Sequence, residues 1–123
     1  MRLAQVLINL VTNASQAIAA TADPAAPPRR HRVVIRSRDT AFGVAIEVED
    51  DGPGIAPAVR ERLFEPFVST HGRVENTGLG LHIARTIVQG FGGTIGFRDR
   101  AGGGCVFVVE LRAAPLEAVA PPP

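Results

Sequence analysis

Val48-Glu49-Asp50-Asp51-Gly52-Pro53-Gly54-Ile55 reads as an apolar strand that delivers a carboxylate and then ends in a loop with two glycines. A carboxylate fixed at a strand end, beside glycine backbone that a flat ligand can approach closely, suits the recognition of adenine. Read alone, the stretch is more typical of an ordinary strand-terminating loop, because Asp and Gly are common turn residues. The segments on either side of it decide between these two interpretations.

A β-hairpin is predicted to lead into this loop. Residues 32–39 and 44–50 alternate apolar and polar side chains, and residues 40–43 form the turn between them. Because successive side chains of a strand point to opposite faces, this alternation turns Asp50 toward the interior and Asp51 away from it. A second hairpin is predicted after the last helix, with strands at 94–98 and 105–111 joined by the glycine-rich segment 99–104.

The first predicted helix has two distinct faces. Its apolar residues recur at helical spacing, at Leu3, Val6, Leu7, Leu10, Ala14, Ala17 and Ile18. A second stripe consists of the amides Gln5, Asn9, Asn13 and Gln16. These amides could simply form a solvated face. Two asparagines at i and i+4 also present paired amide oxygens to one point, which suits an oxygen-liganded cation such as Mg²⁺.

A glycine-rich turn, Gly78-Leu79-Gly80-Leu81, precedes the last predicted helix, which ends near Gly90. Such a turn at a helix start exposes unpaired N–H groups and suits the binding of phosphate, although close helix packing would also explain the glycines. Between the hairpin and this turn, the sequence predicts a short helix from Pro57 through Leu63 and Phe64, followed by a mobile loop at 68–77.

The element order predicts an α/β two-layer sandwich, in which a mixed, mostly antiparallel sheet has helices packed on one face. The sequence further predicts that residues 1–112 form the domain and that residues 113–123, rich in Ala and Pro, form a disordered tail. With 13 basic and 12 acidic residues, the chain offers no electrostatic case for nucleic acid or for direct contact with an anionic membrane. The absence of a long, unbroken apolar stretch and the single Cys105 predict a soluble, cytoplasmic module.

Five segments, in a fixed order, carry a resemblance to a known family. They are Gln5-Val6-Leu7-Ile8-Asn9-Leu10-Val11-Thr12-Asn13-Ala14, Asp50-Asp51-Gly52-Pro53-Gly54, Leu63-Phe64-Glu65-Pro66-Phe67, Thr77-Gly78-Leu79-Gly80-Leu81 and Gly102-Gly103-Gly104-Cys105-Val106-Phe107. They resemble the N, G1, F and G2 boxes and the closing glycine strand of the catalytic ATP-binding domain of sensor histidine kinases. That domain is part of the larger GHKL group, which includes gyrase and chaperone ATPases.

The resemblance implies that the cofactors are ATP and Mg²⁺, and it implies a role for each box. Asp50 would accept a hydrogen bond from the exocyclic amine of adenine, and Asn13 would bind Mg²⁺ with the catalytic Asn9 beside it. Phe64 and Phe67 would anchor the hinge of a lid that carries the basic residue His71, although simple core packing would also explain both phenylalanines. The nucleotide-binding set that it implies is Asn13, Asp50, Gly52, Gly54, Ile55, Phe64, Phe67, His71, Thr77, Gly78, Leu79, Gly80 and Leu81.

Asn9 favours a kinase over an ATPase. Relatives that hydrolyse ATP typically have a glutamate at this position as the general base, whereas an amide cannot take a proton at neutral pH. The resemblance therefore implies transfer of the γ-phosphoryl group to a histidine on a dimerisation and phosphoacceptor domain, with a response regulator downstream. The alternatives are a GHKL-type ATPase switch and a non-catalytic ATP-binding or docking module.

None of the three histidines has the sequence context of a phosphoacceptor, so this chain alone is not expected to autophosphorylate. The chain also departs from the family pattern at Gln16 and Ala17, where a basic and an aromatic residue are usual.

Overall fold

The computed structural model describes residues 2–21, 23–27, 29–67 and 79–112. Within them, the chain forms three helices and four strands. In chain order these are α1 (Leu3–Ala20), β1 (Val33–Thr40), β2 (Gly43–Asp50), α2 (Pro57–Arg60), α3 (Gly80–Gly90), β3 (Thr94–Asp99) and β4 (Cys105–Arg112). Both predicted hairpins and both long helices are confirmed within one or two residues of their predicted ends.

The four described strands form one sheet in the order β1-β2-β4-β3. Every neighbouring pair is antiparallel, and β2 pairs with β4 so that Asp50 lies opposite Cys105. The α/β sandwich class is therefore confirmed. The sheet was predicted to be mixed, and no parallel pair occurs among the strands that the structure describes.

The long helices cover one face of this sheet because each has a single apolar side. Val6, Leu10 and Ala14 of α1 are buried, as are Leu81, Ala84, Ile87 and Val88 of α3, and the two helices pack against each other. The core that they close also contains Leu63 and Phe107. By length and hydropathy alone α1 could also cross a membrane, but core helices meet the same criterion and its apolar side is buried here.

Alternation along β2 separates the two faces of the sheet. Val48 and Asp50 point to the helix side and are almost fully buried, whereas Glu47 and Glu49 belong to the opposite face. The sequence prediction that Asp50 points inward is therefore confirmed. Side chains two residues apart in a strand lie on the same face, so Asp50 must share the core face of Val48.

The face without helices is covered by arginine side chains. Each of two β2 glutamates pairs with one arginine from β1 and one from β3 or the loop after it. The pairs are Arg38–Glu47 at 3.3 Å, Arg98–Glu47 at 3.0 Å, Arg36–Glu49 at 2.9 Å and Arg100–Glu49 at 3.1 Å. These bridges tie both edges of the sheet to its second strand.

Replacing Glu47 with glutamine is expected to lower stability at neutral pH. The hydrogen bond from Arg98 lowers the pKa of Glu47, burial opposes this change, and Arg38 adds to the lowering. A depressed folded-state pKa gives stability that is present above the ordinary glutamate value and is lost as pH falls through the folded value. Thermal unfolding of the variant should therefore depend less on pH than that of the parent between neutral pH and about pH 3.

Glu110→Gln is the matched control, because Glu110 lies exposed on the same face and has no ion pair among the described residues. An equal change in pH dependence for both variants would contradict the assignment of this stability to the Glu47 bridges.

The short helix α2 is shorter than predicted, because it ends at Arg60 and does not continue through Leu63 and Phe64. The backbone continues in turns, with i to i+3 hydrogen bonds from the Arg62 and Glu65 amides. Leu63 and Phe64 still reach the core, as their apolar character predicts. Arg60 also bonds to the Ile55 carbonyl at 3.3 Å and to Asp99 at 2.6 Å.

Candidate functional site

Asp50 lies at the end of β2, with only 2% of its surface exposed. Its Oδ1 accepts a hydrogen bond from the Gly52 amide at 2.9 Å, which folds the loop back over the strand end. A Cβ on Gly52 would lie 3.0 Å from that oxygen and 3.6 Å from the Ala17 Cβ of α1. The loop therefore fits closely between a buried carboxylate and the first helix.

Gly104 forms the neighbouring wall of this site. It adopts a φ of +108°, and a Cβ there would overlap the Asp50 carbonyl oxygen. Gly54 also has a positive φ, +78°, and a Cβ on it would lie 3.5 Å from the Gly104 carbonyl oxygen. The loop before β4 can approach Asp50 only because Gly104 has no side chain. The sequence prediction named this glycine run as a box but did not place Gly104 beside Asp50.

Asp51 points away from Asp50, as strand alternation predicts. Its Oδ1 lies 3.0 Å from His31 Nδ1 and accepts a hydrogen bond from the Arg32 amide at 3.2 Å. Burial raises the pKa of the Asp51 carboxyl, but the bonds from Arg32 and His31 outweigh this effect and the net shift is downward. Asp51 thus holds the start of the G1 loop to the segment before β1.

Cys105 lies opposite Asp50 in the β2–β4 register and is 4% exposed. Burial raises its pKa to about 12, and the negative charges of Asp50 and Asp99 add to the increase. The thiol therefore stays protonated at physiological pH, so the side chain beside the Asp50 carboxylate is uncharged.

The amide face of α1 lies next to the start of α3. Asn9 donates from Nδ2 to the Gly80 carbonyl at 3.1 Å, and its Oδ1 accepts from Gln5 Nε2 at 2.7 Å. Asn13, one turn further along the same helix, is half-buried. Apart from the neighbouring residues and the backbone of its own helix, no described atom lies within 4 Å of the position that a Cβ on Gly80 would occupy, so the backbone there borders open space.

Two further predicted site residues contribute their side chains to the core. Ile55 is 8% exposed and Leu81 is 6% exposed, and both belong to the main apolar cluster. Each follows a glycine of its box. We interpret them as anchors that fix the G1 loop and the start of α3. The Leu79 carbonyl oxygen also accepts a hydrogen bond from the Ile83 amide at 2.8 Å.

The two phenylalanines predicted as hinge anchors differ in their surroundings. Phe64 packs edge-on against Phe107 at a centroid distance of 6.2 Å, and its carbonyl oxygen lies 3.3 Å from His82 Nδ1. Phe67 is 76% exposed and has a φ of +66°, an unusual conformation for a residue with a Cβ. Core packing is therefore confirmed for Phe64 and is wrong for Phe67.

The remaining predicted site residues, His71, Thr77 and Gly78, lie outside the described residues, as do the predicted loop at 68–77 and the predicted tail at 113–123. Among the described residues, no group of three or more His, Cys, Asp or Glu side chains could hold a metal ion.

Comparison with known proteins identifies the family of this chain. The family model described as histidine kinase-, DNA gyrase B- and HSP90-like ATPase matches residues 1–115. The C4-dicarboxylate transport sensor protein DctB of Rhizobium meliloti is 42% identical over 114 residues. That match covers 93% of this chain and 17% of DctB, so the chain spans about a sixth of this relative's length.

Solved structures of catalytic and full-length proteins are also similar to this chain. The catalytic domain of histidine kinase ThkA is 36% identical, with a TM-score of 0.74, over 93% of this chain and 69% of that domain. ThkA in complex with the response regulator protein TrrA matches with a TM-score of 0.68 at 34% identity, over 90% of this chain and 28% of that one. Full-length ShkA in complex with AMPPNP matches with a TM-score of 0.70 at 32% identity, over 93% of this chain and 22% of ShkA.

Proposed function

Because the chain belongs to the histidine kinase-, DNA gyrase B- and HSP90-like ATPase family, we propose that it is the ATP- and Mg²⁺-binding catalytic module of a two-component sensor histidine kinase. The observation that carries the proposal is the buried Asp50 carboxylate, fixed at a strand end between two glycine loops.

Asp50 is proposed to recognise adenine. A buried carboxylate accepts hydrogen bonds and donates none, so it selects a base with an exocyclic amine at that point. Gly52 places no side chain against the carboxylate, and Ile55 anchors the loop in the core. The similar protein ShkA was solved with AMPPNP, an ATP analogue, and this agrees with an adenine nucleotide as the ligand here.

The triphosphate is proposed to lie between α1 and the start of α3. The open space at Gly80 allows a phosphate to approach the backbone of the first α3 turn, where amide hydrogens of a helix are unpaired. Thr77, Gly78, Leu79 and Leu81 complete this phosphate-binding segment in the proposal. Asn13 would hold Mg²⁺ through its amide oxygen. Phosphate oxygens and water would complete the shell, as is usual for this ion.

We also propose that Phe64 anchors the hinge of a lid that closes over the nucleotide. Phe67 and His71 would be the residues through which this lid contacts the ligand. Phe64 is suited to this role because its ring is packed edge-on against Phe107 of the core. The exposed ring and positive φ of Phe67 are consistent with a residue whose contacts form only when ligand is bound.

The proposed reaction is in-line transfer of the γ-phosphoryl group to a histidine on a dimerisation and phosphoacceptor domain. In such reactions the protein mainly positions the groups and neutralises their charge. Mg²⁺, when bound, would offset charge on the phosphates. Asp50 orients the base, the α3 start holds the phosphates, and Asn9 offers no base to activate water. The last point favours a kinase over an ATPase switch.

The partners follow from this role. We propose that a response regulator receives the phosphoryl group downstream, since the similar kinase ThkA was solved in complex with one. The module would act in the cytoplasm, where ATP is available. The similarity to DctB, a transport sensor protein, and to the histidine kinase ThkA supports this placement.

Incubation with ATP labelled at the γ-phosphate tests the reaction. With a separate dimerisation and phosphoacceptor domain of a sensor histidine kinase added, label should appear on that domain and not on this chain. The Asn13→Ala variant should transfer more than about tenfold more slowly, because the proposed metal ligand is lost.

Two results would contradict the kinase proposal. Steady release of labelled phosphate by the chain alone would favour the ATPase switch. Label on this chain would show that one of its own histidines is the acceptor.

A further inference from the structure

Three groups form a continuous hydrogen-bonded relay between two helices. Gln5 and Asn9 lie one turn apart on α1, and Gly80 is the first residue of α3, 71 positions after Asn9. The Gln5 Nε2 to Asn9 Oδ1 distance is 2.7 Å, and the Asn9 Nδ2 to Gly80 carbonyl distance is 3.1 Å. We define Gln5, Asn9 and the Gly80 carbonyl as the amide relay.

Chemistry fixes the direction of every bond in this relay. A backbone carbonyl oxygen can only accept, so the Asn9 atom that faces Gly80 must be the NH₂ group. The Asn9 oxygen then faces Gln5, and Gln5 must present its own NH₂ group to it. The Gly80 carbonyl has two lone pairs, so it can take this bond and still serve the helix ladder of α3.

The relay uses both polar ends of the Asn9 side chain. Asn9 therefore connects α1 to the first turn of α3 through a hydrogen bond. Gln5 holds the side-chain amide of Asn9 in the orientation that this bond needs. Asn13 lies one turn further along the same helix face. The bond from Asn9 to Gly80 therefore connects the helix that carries the proposed metal ligand to the proposed phosphate-binding start of α3.

We propose that Gln5 is a positioning residue, which orients Asn9 so that α1 holds the start of α3 at the spacing that a metal–triphosphate requires. This inference rests on the proposed function, because it specifies how the phosphate half of that site is held. It assigns Asn9 a positioning role as well. The adenine half, at Asp50, contains no member of the relay.

Gln5→Glu is the sharpest test, because it keeps the size of the side chain and removes its donor. At neutral pH a glutamate would place a carboxylate against the Asn9 oxygen, and Asn9 could keep its contact to Gly80 only against this repulsion. The dissociation constant for Mg·ATP should rise about tenfold, as expected for one lost hydrogen bond next to a charge. The affinity for adenosine, which lacks phosphates, should stay within about twofold of the parent.

Gln5→Met removes the donor without adding a charge and should give a smaller loss, of about threefold. Gln89→Glu is the matched control, because Gln89 is exposed near the end of α3 and has no side-chain hydrogen bond among the described residues. It should bind both ligands like the parent. In parallel, the side-chain amide resonances of Asn9 should shift in both Gln5 variants and remain unchanged in Gln89→Glu.

The outcomes separate this inference from the proposed function. If the parent bound neither adenosine nor Mg·ATP, the proposed function would fail and the relay would lose its role with it. If the parent bound Mg·ATP and Gln5→Glu bound it equally well, only the relay would be refuted. An equal loss of adenosine and Mg·ATP affinity would also refute it, since that pattern indicates a general structural defect.

Discussion

Replacing Asp50 with asparagine is expected to weaken Mg·ATP binding by about ten- to a hundredfold, the range for a hydrogen bond to a charged group. The Gly52 amide holds one carboxylate oxygen at 2.9 Å, and asparagine can keep this bond through its own oxygen. The second position then becomes an NH₂ group, which repels the exocyclic amine of adenine. Calorimetric titration of the variant with Mg·ATP measures this loss directly.

Asp51→Asn provides the control for this experiment, since it makes the same chemical change in the next residue. Asp51 bonds to His31 and to the Arg32 amide and points away from the site. We expect it to lose some stability while binding Mg·ATP within about threefold of the parent. Equal losses of affinity in the two variants would show that the charge of the loop matters, and that Asp50 has no specific role.

Gly104→Ala is expected to have the largest effect on stability, about 3–5 kcal/mol, from steric overlap combined with a strained φ. The new Cβ would overlap the Asp50 carbonyl oxygen and crowd the Asp51 Cα, which lies 3.0 Å from it. Since both atoms are backbone, neither can rotate away. Thermal unfolding should begin about 10–20 °C lower than in the parent.

Two other glycines of the same hairpin separate the causes of this loss. Gly103 has a φ of +107° but open space around its Cβ direction, so Gly103→Ala should show the cost of backbone strain alone. Gly96 has open space and no positive φ, so Gly96→Ala should be nearly neutral. A Gly104→Ala variant no less stable than Gly103→Ala would contradict the close approach of the last loop to Asp50.

Local patterns predicted most of the framework. The alternation in β2 was sufficient to place Asp50 inside and Asp51 outside, because a strand has only two faces. The apolar stripes of α1 and α3 likewise predicted which sides are buried. The end of α2 was not predictable in this way, since Leu63 and Phe64 reach the core equally well from turns as from a helix.

Contacts between distant segments were beyond the reach of these patterns. Nothing in the spacing of Asn9 indicates that its amide binds the Gly80 carbonyl, because their separation in the chain carries no periodic signal. The sequence around Gly104 indicated only a glycine-rich turn. The position of Gly104 against Asp50 depends on the β2–β4 register. The exposure of Phe67 was missed for a related reason, since an apolar residue beside the core normally joins it.

The central claim is that this fold brings a base-reading carboxylate and a phosphate-binding helix start into one site for Mg·ATP. Calorimetric titration of the parent chain with ATP, with and without Mg²⁺, tests it most directly. The account predicts saturable binding of one nucleotide per chain, tighter with Mg²⁺ than without it, and competition by ADP. Absence of any heat of binding, or binding of GTP as tight as that of ATP, would contradict it.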